Sequence, residues 1–182
     1  MGDRGPTDAV TGEKHSREPR SAGSGPSAWD AALRLLGARA RSRQEMHDRL
    51  VSRGFTDDEV STTMSRLDEC DLLDDAEFAH EWVQSRHAHS ARGRHALRRE
   101  LRAKGIDDEI VADALETIDP EAERDIAYAL AEKKLTFDAD DLADPNIRAK
   151  AFRRLSGALG RRGYPPDVIT SVVKDVITAR RE

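Results

Sequence analysis

Three times along this chain a leucine is followed four residues later by a glycine, and that glycine by a bulky apolar residue. The instances are Leu50–Gly54–Phe55, Leu101–Gly105–Ile106 and Leu159–Gly163–Tyr164, with the glycines 51 and then 58 residues apart. Further apolar columns align on them. Met46, Leu97 and Leu155 stand eight residues before each glycine, and Val60, Val111 and Ile169 six after. Met64, Leu115 and Val173 stand ten after, and Leu67, Ile118 and Val176 thirteen after. With 37% hydrophobic residues, one all-apolar column of three has a chance of about 0.05, so six of them mark a threefold internal repeat.

Each glycine suits the residue just past a helix end, where the chain turns left-handed and a Cβ is costly. With Gly54 in that place, Leu50 and Phe55 make the apolar contact of a Schellman ending, and Leu159 with Tyr164 can do the same. A second helix starts at once, signalled by Thr56 with Glu59, by Asp107, and by Pro165–Pro166. Upstream, Ser42 with Glu45 reads as another capping box. A further helix precedes each pair: Phe78, Ala79, Trp82 and Val83 recur as Ile126, Ala127, Leu130 and Ala131, with a weaker copy at Ala31, Ala32, Leu35 and Leu36. Asp74 with Glu77, and Asp119 before Pro120, are its start signals. No run of alternating β-branched residues competes, so the fold class is all-α.

The sequence thus predicts three tandem three-helix repeats over 28–73, 74–118 and 119–182. The third carries a longer, flexible acidic link at 136–144. A unit of roughly 50 residues has little interior of its own, so stacked copies sharing seams are expected to form an elongated, curved molecule. Residues 1–27, rich in Gly, Pro, Ser and mixed charge, read as a disordered tail. That segment lacks the apolar core of a secretory signal, no stretch reaches membrane-spanning length, and Cys70 is the only cysteine. A soluble cytoplasmic protein is the expectation.

The net charge of −5 argues against a generic nucleic-acid binder, but the charge is unevenly placed. Arg92, Arg94, Arg98, Arg99, Arg102 and Lys104 crowd one stretch against the single acid Glu100, with Arg86 just before them. Arg148, Lys150, Arg153, Arg154, Arg161 and Arg162 fall in a stretch without any acid. The middle helices of the second and third repeats are therefore cationic rods. The helix after the first of them carries Asp107, Asp108, Glu109, Asp113 and Glu116. That excludes a helix-turn-helix reading, because these carboxylates would face phosphates in the major groove.

Several tempting chemistries fail on spacing. His87, His89 and His95 do not bring two imidazoles to one helix face with a carboxylate, so no metal site is expected. The aspartates 138, 140, 141 and 144 lack the glycine and closing glutamate of a calcium loop. Cys70 sits between Glu69 and Asp71, which disfavour its thiolate. Trp82 and Phe78 are read as core rather than as a stacking platform for bases. No nucleophile–base pair or phosphate-binding loop is present, so neither an enzyme nor a cofactor is expected.

These residues together resemble the RecX family of bacterial recombinase regulators. The resemblance runs from Trp29 onward. It is strongest at Leu72–Leu73–Asp74–Asp75–Ala76–Glu77–Phe78–Ala79, Trp82–Val83, Arg86, Gly93, Leu97, Glu100–Leu101 and Lys104–Gly105–Ile106. Ser42–Arg43–Gln44–Glu45–Met46, Arg53–Gly54–Phe55 and Arg161–Arg162–Gly163–Tyr164 extend it. Asp71 departs from it, standing where the family commonly has glycine, so the helix before it is expected to end differently. Gly157 and Gly160 are expected to soften the third middle helix. The resemblance implies a regulator that lies in the groove of the RecA recombinase filament on DNA, and a monomer is the expectation. There it would restrain ATP hydrolysis, strand exchange and coprotease activity, and so regulate DNA repair, recombination and the SOS response. The thirteen cations from Arg86 to Arg162 named above are the candidate filament or DNA surface. A stand-alone nucleic-acid-binding protein, or a scaffold for other helical partners, are the alternatives.

Overall fold

The computed structural model describes residues 26–182, so nearly all of the expected tail lies outside the described residues. Among the described residues there are nine α-helices, one 3-10 turn and no strand. They run α1 (Ala28–Ala38), α2 (Arg43–Ser52), α3 (Asp57–Glu69), α4 (Asp75–Ser90), α5 (Arg94–Arg102), α6 (Asp108–Glu116), α7 (Pro120–Lys134), α8 (Pro145–Arg162) and α9 (Pro166–Arg181). No helix among them is long and apolar enough to cross a membrane.

The glycine endings form as the spacing predicts. Gly54, Gly105 and Gly163 have φ of 85°, 75° and 83°. The amides of Phe55, Ile106 and Tyr164 donate to the carbonyls of Leu50, Leu101 and Leu159, which is the long bond of a Schellman ending. Asp71 behaves like them rather than differently: its φ is 50° and Leu72 N–H donates to the Leu67 carbonyl. A short polar side chain tolerates the left-handed region well enough to replace glycine there. Thr56 and Glu59 make their capping box, and Asp74, Asp107, Asp119 and Asp144 each accept an amide of the first turn. Ser42 caps α2, but Glu45 does not return the bond; its carboxylate is taken by Arg39 and Lys104. α8 runs unbroken through Gly157 and Gly160.

The apolar columns become three separate cores. Met46, Leu50, Val60 and Leu67 centre the first, Leu97, Leu101, Val111 and Leu115 the second, and Leu155, Leu159, Val173 and Val176 the third. The stretch 136–144 is not the loose link expected. Leu142 is fully buried, Asp138 and Asp141 bond each other's backbone amides, and Arg148 donates to the carbonyls of Leu142 and Ala143.

Two seams join the cores, and they share one design. In the first, Ser42 Oγ donates to the Lys104 carbonyl at 2.7 Å, and Arg43 N–H donates to Asp75 Oδ1 at 2.9 Å. In the second, Gly93 N–H donates to the Arg162 carbonyl at 3.0 Å, and Arg94 N–H donates to Glu123 Oε1 at 2.9 Å. The start of one middle helix thus docks on the glycine turn of the next, while an acid from the next first helix caps it. A Cβ on Gly93 would sit 2.6 Å from the Gly163 carbonyl oxygen, so that joint requires bare backbone. Both seams use α5: its end meets the first group of helices and its start meets the third. At nine residues, or about 13 Å, α5 is the strut of a linear array.

Candidate protein-binding surface

The apolar stripes of α5 and α8 fix which way their cations face. Ala96, Leu97 and Leu101 are buried on α5; Ala151, Leu155, Ala158 and Leu159 are buried on α8. The remaining positions are half-buried or exposed, and the thirteen candidate cations on and beside these helices divide into two sets.

Eight are engaged within the molecule. Arg86 and Arg92 both hold Glu100, at 3.1 Å each, and Trp82 Nε1 donates to the same carboxylate. Lys104 bonds Glu45 at 2.6 Å and lies 4.0 Å from the Trp82 ring centroid. Trp82 is therefore half-buried at a charged junction against Phe78, rather than simply core. Arg94 pairs with Glu123 at 2.8 Å, and that glutamate's side chain is only 2% exposed. Arg162 donates to the Ser90 carbonyl, and Arg148 to the two carbonyls of the 3-10 turn. Arg102 meets Asp108, and Arg154 the Thr136 hydroxyl.

The other five, Arg98, Arg99, Lys150, Arg153 and Arg161, are exposed, and among the described residues none has an ion-pair partner. Cations already spent on buried or bridging acids have little left for a partner, whereas these five can be desolvated by an incoming anion. The electrostatics of the seams follow their burial. Burial acts to raise the Glu45 carboxyl, but bonds from Arg39 and Lys104 outweigh it and hold the group below its usual value. For Asp75 burial prevails over the Arg43 amide and pushes its pKa up. Tyr164, whose hydroxyl donates to the Ala91 carbonyl, is pushed up to about 12 by burial and then by the nearby Glu123 charge.

The seam acids escaped the sequence reading, although a signal existed. Arg43 and Arg94 form a column at the 51-residue offset, and Asp75 and Glu123 one at the 48-residue offset of the first helices. Those polar columns went unread beside the apolar ones. Glu100, the lone acid in a cationic run, was likewise a mark of an internal ion pair.

Comparison with known proteins agrees with this architecture. The family model described as the RecX second three-helix domain matches residues 74–115, and that of the RecX first three-helix domain matches residues 28–67. The regulatory protein RecX of Mycolicibacterium smegmatis is 41% identical over 177 residues, covering 97% of this chain and 92% of that protein. This chain belongs to the RecX family. A second RecX-family relative, from Mycobacterium avium, is 45% identical over 150 residues, covering 82% of this chain and 84% of the other. The crystal structure of RecX from Lactobacillus salivarius superposes with a TM-score of 0.69 at 27% identity, over 82% of this chain and 94% of that one. These relatives are named regulatory proteins, which places the chain in a family of regulators rather than of named enzymes.

Proposed function

We propose that this RecX-family protein binds the RecA–DNA filament along its groove and restrains ATP hydrolysis, strand exchange and coprotease activity in the cytoplasm. The observation that carries the reading is the set of five cations on α5 and α8 of a linear array that have no ion-pair partner among the described residues. A filament repeats its surface, and an array of similar modules can meet successive protomers with several weak contacts that add through avidity. Cations of this kind chiefly govern encounter rate and register rather than supply one deep anchor. Arg98 and Arg99, midway along the strut between the seams, are the contact we assign first.

The test is ATP hydrolysis by the cognate recombinase on single-stranded DNA, with and without the protein. The wild-type chain should lower the rate. Arg98→Glu together with Arg99→Glu should lose most of that effect while leaving the helical circular dichroism unchanged. Undiminished inhibition by the double variant refutes the assigned surface. Binding to bare single-stranded DNA as tight as binding to the filament would instead favour a stand-alone nucleic-acid binder.

A further inference from the structure

The two seams follow one plan but differ in what they are made of. Among the described residues, every hydrogen bond across the first runs through a side chain. Ser42 Oγ donates to the Lys104 carbonyl, Arg43 N–H to Asp75 Oδ1, and Lys104 Nζ to Glu45 Oε1. Across the second, backbone meets backbone: Gly93 N–H donates to the Arg162 carbonyl and His95 N–H to the Gly163 carbonyl, each at 3.0 Å. The buried Tyr164 adds its hydroxyl bond to the Ala91 carbonyl. Packing sharpens the contrast. A Cβ on Gly105 would strike the Gln44 side chain, whereas one on Gly163 would strike the backbone of Ala96. The capping carboxylate of the second seam is 2% exposed, and the Glu45 side chain at the first is 21% exposed.

The first seam also leaves room to move. A crevice of about 140 Å³ stands between Leu36, Ala40 and Arg41 of the first unit and Glu77, Phe78 and Glu81 of the second. Arg41 Nη1 is buried there without a hydrogen-bond partner. Among the described residues, none of Arg41, Glu77 and Glu81 has an ion-pair partner. Small polar interfaces between units permit relative motion, and bonds through rotatable side chains survive a range of angles. Directly apposed backbone does not.

We propose that residues 28–73 swing as one body about the Leu73–Asp74 link, against a rigid body formed by residues 74–182, and that Lys104 is the latch. Its carbonyl and its ammonium both hold the first unit. Released, the first unit closes the crevice and brings Arg41 to the carboxylates of Glu77 and Glu81. One ion pair is exchanged for another, so the two states stay close in energy, as a hinge requires. The five exposed cations on α5 and α8 all ride on the rigid body, so their spacing is fixed while the first unit adjusts. This hinge is a property of the free chain and does not depend on the filament reading.

Double electron–electron resonance on the full chain tests it, with Cys70→Ser removing the one native cysteine. Nitroxides on Thr62→Cys and Asp113→Cys span the first seam, and on Asp113→Cys and Thr178→Cys the second; all three positions are exposed. The first distance distribution should be about twice as broad as the second, or split in two. Lys104→Met keeps the apolar stem and removes the charge, and it should shift the first distribution toward the closed state without moving the second. Glu77→Gln with Glu81→Gln should empty that closed population. Equally narrow distributions at both seams overturn the hinge, and a second seam as broad as the first overturns the rigid body. Unaltered distances in Lys104→Met overturn the latch. The comparison of the two seams with Lys104, Glu77 and Glu81 intact decides the hinge even where one of these variants fails to fold.

Discussion

The pairing of Arg94 with Glu123 makes an asymmetric demand on stability. Glu123 is the buried member, with its side chain 2% exposed, while Arg94 is 31% exposed and can swing to water. Arg94→Ala leaves a carboxylate in the seam with one remaining donor, the backbone amide at 94. Breaking a buried pair from that side costs about 3–4 kcal/mol, because the stranded charge keeps its desolvation penalty. Glu123→Gln still offers an amide oxygen to the same N–H and frees an arginine that solvent can reach, so about 2 kcal/mol is expected. Urea unfolding followed by circular dichroism measures both. Glu123→Gln carries a second signature: with the negative neighbour gone, Tyr164 should ionise below its present value of about 12, yet still above 10, since burial is the larger cause. Tyrosinate absorbance reads that shift. If Arg94→Ala costs no more than Glu123→Gln, the carboxylate is not the group whose burial governs the seam, and the reasoning fails.

Acid should loosen the first seam through Glu45. Its folded pKa lies below the ordinary 4.5, so its stabilisation is full above that value and fades as pH falls through the lower folded one. Tryptophan emission should report it, since Lys104 bridges Glu45 to the Trp82 ring, and Glu45→Gln should abolish the transition. Asp71→Gly should stabilise the protein by about 0.5–1 kcal/mol in the same urea assay, because glycine takes the left-handed conformation without a Cβ penalty; a loss of stability would mean the Asp71 carboxylate makes a contact that matters more.

What the sequence revealed and what it hid divide along physical lines. Helix ends were legible because a Schellman turn needs a glycine and an apolar pair at fixed spacing, and Leu50, Gly54 and Phe55 announce it in the residues themselves. The cores were legible for the same reason: Met46, Leu97 and Leu155 recur in register. The fate of the cations was not, because ion pairing depends on what folding brings close. Arg94 and Arg98 look alike in a string of letters, yet one is committed to Glu123, 29 residues away in sequence, and the other faces solvent. The order of the 136–144 stretch was hidden too: its aspartates suggested a loose link, while the single buried Leu142 ties it to the third core.

The joint between modules has two unlike halves, and only the central unit owns both. Its Arg94 serves the unit after it, and its Asp75 serves the one before; the outer units hold one half each, with Ala28 and Phe152 where the missing halves would stand. Growth of such a rod is therefore possible from the inside alone. Duplicating the central unit, residues 74–118, in tandem would yield a longer chain in which each Arg94 meets an acid and each Asp75 a helix start, whereas splicing one whole molecule onto another would leave a gap at the splice. The ends act as terminators, and the middle is the only part of this architecture that can be multiplied.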